Sequence, residues 1–330
     1  MAKQNSRAVK AKSTTSNSSK RLLTRFNWKT AVGLLAIGGF MYLILPHLGQ
    51  FHSSLVLLKH LNTGWLLLAL AASLATYFAA AGIYLVLAKH SLRYGPTLLI
   101  QCAGTFANRL LPGGIGALGV NYEYLRKRRH SLAEAGSVIA TNNLCGLAGH
   151  VIVLLFVLVF VPHHLAPISI PHPGAYIYWA IGGIIALVTA TLTWSRKLRN
   201  ELFRTIIGVV KNIGRYRTHP LRLLSAVSIS MSLTLCYVTC LAACGQALNL
   251  HLAFSQIFIV MTAGIVAGTV TPTPGGLLGA EAGLLAGLVA YGVAAAPALA
   301  VVLVYRLLTY WLALIFGSVA LLVSDHLGYL

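Results

Sequence analysis

Acidic residues are the scarcest chemistry in this sequence. Five Asp and Glu stand against 25 Lys and Arg in 330 residues, and charged residues of both signs make up only 9% of the chain. Set beside 57% hydrophobic residues and a mean hydropathy of +0.78, so little charge excludes an ordinary soluble domain. Catalytic signatures are absent too. There is no GxxxxGK-S/T phosphate loop, HExxH zinc helix, GxSxG elbow or CxxC pair, and no polar stretch long enough for a soluble catalytic domain. An internal ATPase is thereby excluded, and energy coupling has to come from ions, the substrate gradient or a partner. The five cysteines lie in apolar sequence and indicate no disulfide framework. Cys236, Cys240 and Cys244 share one helix face, a spacing that suits close helix packing, with a soft-metal stripe as the alternative. The loop histidines His47, His52, His60, His163, His164 and His172 match no closed zinc spacing. No cofactor or metal is expected.

What is present is membrane sequence. Apolar runs approach or exceed the ~20 residues that span hydrocarbon at 30–46, 64–88, 133–161, 175–194, 223–244 and 297–323. Residues 1–29 are polar, Ser/Thr-rich and basic, and read as a disordered cytoplasmic tail rather than a cleaved signal; residues 30–330 form a single transmembrane domain. All the cations except Lys59, Arg109 and Arg306 fall in 1–29, 89–93, 126–129 and 195–222. The positive-inside rule therefore puts those segments and both termini in the cytoplasm. The net charge of +20 is then loop charge facing anionic lipid, not a nucleic-acid surface.

Two segments, 95–129 and 253–291, do not read as simple spans. Leu111-Pro112-Gly113-Gly114-Ile115-Gly116 resembles Thr273-Pro274-Gly275-Gly276-Leu277-Leu278-Gly279, about half the chain apart. Each break follows an apolar arm and precedes a Gly-rich one. Three spans separate them, so the second enters from the face opposite the first. The expected fold is an all-α polytopic membrane protein of six full spans plus two Pro-Gly-Gly re-entrant hairpins. It forms an inverted-topology repeat with halves near 64–194 and 223–323. Eight full helices joined by Pro-Gly-Gly turns have the same crossing parity, and sequence leaves that alternative open.

Broken helices and lone charges are tolerated at membrane depth only where protein or a wet cavity receives them. Arg109 lies just before the first break, Arg306 lies in the last span, and Glu281 follows the second break. An arginine in hydrocarbon costs at least ~2.5–3.5 kcal/mol on insertion scales, so Glu281 is expected to partner one of them. Two readings follow: an Arg–Glu pair that pins the fold, or a guanidinium that receives a lipid phosphate while the carboxylate tunes it. Helices that start after Gly113-Gly114 and Gly275-Gly276 present free N–H groups suited to phosphate. Gly275, Gly279, Gly283 and Gly287 make a stripe for helix packing or for a lipid chain. Asn142, Asn143, Gln101, Asn108 and His150 are polar groups in apolar helices, suited to interhelical hydrogen bonds, with proton relay a lesser reading for His150.

The two hairpins, the run PTPGGLLGAEAGLLAGLVAYGV and the closing VLVYRLLTYWLALIFGSVALL resemble the lysylphosphatidylglycerol synthase transmembrane region, the flippase-like membrane domain of multiple peptide resistance factors. The likeness covers most of the chain after the tail and is most specific over 272–312. Family members often carry an acidic residue after the first PGG and an acidic–Arg pair in the next helix. Here Ala117-Leu118 and Asn142-Asn143 stand there, so the second half is expected to carry more of the site. The resemblance adds Tyr305 beside Arg306 as a substrate contact. Because no aminoacyltransferase domain accompanies the membrane region in this sequence, it implies lipid translocation rather than lysine transfer.

The expected function is a non-enzymatic, flippase-like transporter. It would move a phospholipid or polyprenyl-phosphate headgroup through a midplane polar cavity between the hairpins, in a bacterial cytoplasmic membrane. Its partners are anionic or phosphate-bearing membrane lipids, with a homo-oligomer or a partner enzyme left open. A membrane-embedded transferase or its accessory subunit is the alternative, with Glu281 as the one candidate base. A scaffold organising a partner enzyme is a third reading.

Overall fold

A computed structural model describes residues 61–111, 114–160, 220–271 and 273–330. The tail, the expected spans at 30–46 and 175–194, the basic loop 195–222 up to residue 219, and the tip residues Pro112, Gly113 and Pro272 lie outside the described residues. Within them every regular element is helical: α1 Thr63–Leu87, α2 Tyr94–Leu110, α3 Ile115–Lys127, α4 Leu132–Phe160, α5 Pro220–Ala247, α6 Phe254–Val270, α7 Gly279–Ala290 and α8 Ala295–His326. Four of these (α1, α4, α5 and α8) are long and apolar enough to cross a membrane, with mean hydropathies between 1.8 and 2.4. The remaining four are shorter and pair as α2–α3 and α6–α7. The order of lengths therefore repeats: long helix, short pair, long helix, then the same again.

Local sequence sets the ends. Asn62 caps α1, its Oδ1 accepting from the N–H groups of Gly64 and Trp65. A Ser-x-x-Glu box caps α4: the Ser131 N–H donates to Glu134 Oε2 (2.9 Å) while the Glu134 N–H donates to Ser131 Oγ (3.3 Å). Glu134 also pairs with Lys89, at 2.6 Å. α2 stops at Leu111, before Pro112, and α3 begins from Gly114 in a left-handed conformation, φ +81°. The second break is tighter. Gly275, Gly276 and Leu278 all adopt positive φ, at +61°, +67° and +71°.

The two short pairs share one fastening and differ in a second. α6 and α7 close on glycine. A Cβ on Gly283 would stand 2.6 Å from the Ala263 carbonyl oxygen, one on Gly279 would overlap Thr271, and one on Gly287 would reach the Val260 Cα at 3.1 Å. The glycine stripe of the sequence is thus the ridge on which α7 meets α6. α2 and α3 also meet on a glycine, Gly116 against the Ala107 backbone, and add polar links: Thr97 Oγ1 and Tyr124 Oη lie 2.9 Å apart, and Gln101 Nε2 donates to Asn121 Oδ1 at 2.8 Å.

The first half of α8 runs through the centre, with Ala298, Ala300 and Val301 fully buried. It packs into a core with Val238, Cys240, Leu241 and Cys244 of α5 and Phe258 and Val260 of α6. Cys240 and Cys244 are therefore core residues, and no metal-binding cluster of His, Cys, Asp or Glu occurs among the described residues. Leu147, Leu155, Phe156, Leu224, Ile315 and Leu322 are exposed on the long helices, an apolar exterior that a bilayer solvates and water does not. This is a helical, multi-pass membrane architecture.

Candidate functional site

Within α8, residues Leu307–Trp311 form a π-helical turn. Such a bulge disturbs the i→i−4 ladder and occurs frequently at functional sites. Here side chains from other helices donate to carbonyls of the turn: Ser73 Oγ to Leu308 O at 3.1 Å, and Arg109 Nη2 to Thr309 O at 2.9 Å. The turn also points Tyr310 between two cations. The guanidinium carbons of Arg109 and Arg306 each lie 5.0 Å from its ring centroid.

The second break meets this cluster. A Cβ on Gly275 would sit 2.7 Å from Tyr310 Cε2 and 3.0 Å from Arg109 Cδ, so the turn after α6 rests directly on the end of α2. Glu281, in the first turn of α7, accepts from Arg306 Nε at 2.5 Å. Its carboxylate also faces the positive end of the α7 dipole, a place where a carboxylate is favoured. Two guanidiniums and one carboxylate leave one net positive charge among the described residues of the cluster. Bonding capacity is left over as well: Arg109 Nε, Arg306 Nη2, Glu281 Oε2 and Asn108 Oδ1 are buried without a hydrogen-bond partner among the described residues.

Two cavities lie beside the cluster's first-half members. The larger, about 530 Å³, is bounded by α1, α4, α5 and α6, with Asn142, Asn143, His150, Ser230, Thr234 and Tyr237 supplying polar atoms. The smaller, about 300 Å³, lies against α2 and α3, where Gln101, Asn108, Gly114 and Asn121 line it together with Asn142 and Asn143. Asn142 and Asn143 belong to both walls and so stand where the two spaces join. Asn108, on the smaller cavity, is followed immediately by Arg109 of the cluster.

The residues singled out from sequence thus separate into two groups. Arg109, Arg306, Glu281 and Gly275 come together, and Gly276 packs beside them with its α-carbon face on Gly268. Gly114, Asn142 and Asn143 line the cavities instead. Tyr305 does neither: it is buried in the core with its hydroxyl 3.5 Å from Met261 Sδ. Gly113 lies outside the described residues. His150 lines the larger cavity, stacked on Phe258 and 3.2 Å from Thr262 Oγ1.

The ion pair lies in the second half of the chain, and the open space borders helices of the first half. The open space borders Asn108, Ala117 and Asn121 of α2–α3, although Gly116 seats α3 on the Ala107 backbone as closely as glycines seat α7 on α6. Sequence reading missed Tyr310 and Asn121. Tyr310 follows Arg306 by four residues, one helical turn, and that spacing was the available signal. Gln101, Thr105 and Asn108 fall at i, i+4, i+7 and trace a polar stripe that points at α3.

No individual curated protein matches the sequence. The family model described as the lysylphosphatidylglycerol synthase TM region matches residues 30–317, nearly the whole chain and both helix breaks, and the chain belongs to that family.

Proposed function

We propose that this protein is a lipid transporter of the flippase type, carrying a phosphate-bearing headgroup across the cytoplasmic membrane. The observation that carries the reading is the incompletely bonded cluster of two arginines and one carboxylate where the second break rests on the last turn of α2, in a helix bundle that also holds an amide-bordered cavity. A buried guanidinium with a free N–H favours an oxyanion, and Arg109 Nε and Arg306 Nη2 are two such donors.

The contact between the breaks also favours re-entrant hairpins. If α2–α3 and α6–α7 crossed fully from opposite faces, their turns would lie on opposite sides of the membrane, ~30 Å apart. Instead Gly275 rests on Arg109. The arms number 17, 13, 17 and 12 residues, two at the lower limit of a full crossing and two below it. The cation distribution sets the cytoplasmic face, with both termini on it. Headgroup passage then follows from rearrangement of one repeat half against the other.

A transferase needs a base. Its one candidate, Glu281, is held by Arg306, so the reading assigns the protein no bond-making step.

The test is translocation of fluorescent phospholipids and polyprenyl phosphates in vesicles containing the purified protein. Arg306→Ala and Glu281→Gln should each slow movement roughly tenfold or more, about 1.4 kcal/mol per decade, with folding checked by thermal unfolding. The exchanged pair Arg306→Glu with Glu281→Arg separates the roles. A pair that only pins the fold regains transport on exchange, while an arginine that meets phosphate does not. Absence of movement for every lipid in the panel rejects the transporter.

A further inference from the structure

The cavities carry a chemistry of their own. Five carboxamide side chains, Gln101, Asn108, Asn121, Asn142 and Asn143, line the smaller one, and among the described residues no Asp, Glu, Lys or Arg lines either. A carboxamide both accepts and donates, and so does a hydroxyl; an ammonium only donates, and a phosphate only accepts. A cationic aminoacyl headgroup is favoured by a neighbouring carboxylate, and no described residue of these walls supplies one.

Fold-holding bonds explain only part of the set. Gln101 and Asn121 satisfy each other, with Asn121 Nδ2 also donating to the Ala117 carbonyl at 2.8 Å. Asn108 Oδ1 is buried without a partner, and Ser230 Oγ, on the larger cavity in a residue only 2% exposed, is likewise unbonded among the described residues. The side chains of Asn142 and Asn143, at the junction, make no hydrogen bond among the described residues. Tyr84 and Tyr237 add aromatic surface to the smaller and larger cavity. A carbohydrate presents alternating hydroxyls and apolar C–H faces, which unbonded amides and aromatic rings complement. The volumes, about 300 and 530 Å³, lie in the range of small-molecule sites.

We infer that the amide-lined cavity binds the uncharged, hydroxyl-rich part of a lipid headgroup, a glycosyl group, with Asn142 and Asn143 as specificity-determining contacts. As a statement about cargo it rests on the transporter reading; as a statement about binding it stands alone. The glycosyl group sits on either a diacylglycerol or a polyprenyl phosphate.

The experiment measures binding to the full chain in phosphatidylcholine nanodiscs by calorimetry. Three short-chain probes are used: dioctanoyl galactosyl-diacylglycerol, a galactosyl-phosphoryl prenol and dioctanoyl lysyl-phosphatidylglycerol. Saturable binding of a galactosyl probe, weakened about tenfold by Asn142→Leu and by Asn143→Leu, is the expected result, with the lysyl probe weaker than both. Asn143 is exposed and unbonded among the described residues, so its replacement tests the site even where Asn142→Leu unfolds. Lysyl lipid binding as tightly as galactosyl lipid, or galactosyl binding that neither variant changes, overturns the inference. The same lipids are then followed in the vesicle assay. Galactosyl lipid that binds but does not move upholds the binding site and counts against transport. Anionic lipid that moves while no galactosyl probe binds retains the transporter and rejects this cavity assignment.

Discussion

Tyr310 stands between the half-buried Arg109 and the buried Arg306, and its ring and its hydroxyl can be separated by substitution. The hydroxyl reaches only the Arg109 carbonyl, at 3.5 Å, whereas the ring faces two guanidiniums. Tyr310→Phe should therefore leave stability nearly unchanged. Tyr310→Leu should cost about 1–3 kcal/mol, the sum of two partly desolvated cation–π contacts, read as a lower thermal midpoint in detergent. Gly275 allows a sharper test. Its φ of +61° penalises any side chain, and a Cβ would collide with Tyr310. Gly275→Ala should cost roughly 2–4 kcal/mol and loosen the arginine cluster, detectable as faster hydrogen exchange in 307–311.

His130, in the loop before α4, provides a pH-dependent test at the same scale. Its Nε2 accepts from the His90 N–H (3.4 Å), while Nδ1 lies 3.1 Å from the Leu125 carbonyl. Burial lowers its pKa below the ordinary 6.5 and nearby His90 lowers it further, against upward pulls from the Leu125 and Arg128 carbonyls and from Glu134. The unfolded chain therefore binds the proton more readily, so this residue's contribution is present above about pH 6.5 and is lost as pH falls through the lower folded value. Thermal stability should drop between about pH 7 and about pH 5, and His130→Gln should flatten that part of the profile.

At the scale of elements, both hairpins close on a glycine, and α2–α3 depends on buried polar links as well. Gly283 meets α6 backbone, with the Gly264 Cα 2.9 Å from a built Cβ. Gly283→Val should prise α7 from α6 and cost about 3 kcal/mol or more, since packed backbones cannot yield to a branched side chain. In the α2–α3 pair Gly116 is seated on the Ala107 backbone in the same way, so Gly116→Val should be as disruptive, and the polar links add a second sensitivity. Gln101→Leu leaves Asn121 Oδ1 without its donor and should cost about 1–3 kcal/mol. If the Gly283 variant melts with the wild type, the glycine ridge is not what closes α6–α7.

At the scale of the whole molecule, the meeting of the two breaks is the feature on which the membrane arrangement turns. Single cysteines at Leu111 and Leu277, in a protein otherwise free of cysteine, should react slowly with a membrane-impermeant maleimide from either face. A cysteine at Arg129 should react readily from the cytoplasmic face. Rapid labelling of position 111 from outside and of 277 from inside would instead describe eight full crossings.

Much of this was legible in the sequence. Apolar run length located α1, α4, α5 and α8 to within a few residues, because a bilayer demands a run of a given length whatever packs around it. Pro-Gly-Gly marked both breaks, because a helix cannot continue through proline followed by two glycines. The pairing of Arg306 with Glu281 was also readable, since charge in apolar sequence is rare enough to leave few partners.

Other features were decided by tertiary structure alone. Residues two hundred positions apart, Arg109 and Thr309, are brought together by the packing of α2 on α8. No local pattern encodes that distance. Nor could composition say which hairpin would be sealed and which would border a cavity. Both pairs seat a glycine on the partner backbone, Gly116 on Ala107 and Gly283 on Ala263, so the cavity's place depended on which faces α2 and α3 turned towards α1 and α4, and that is fixed only when the helices pack.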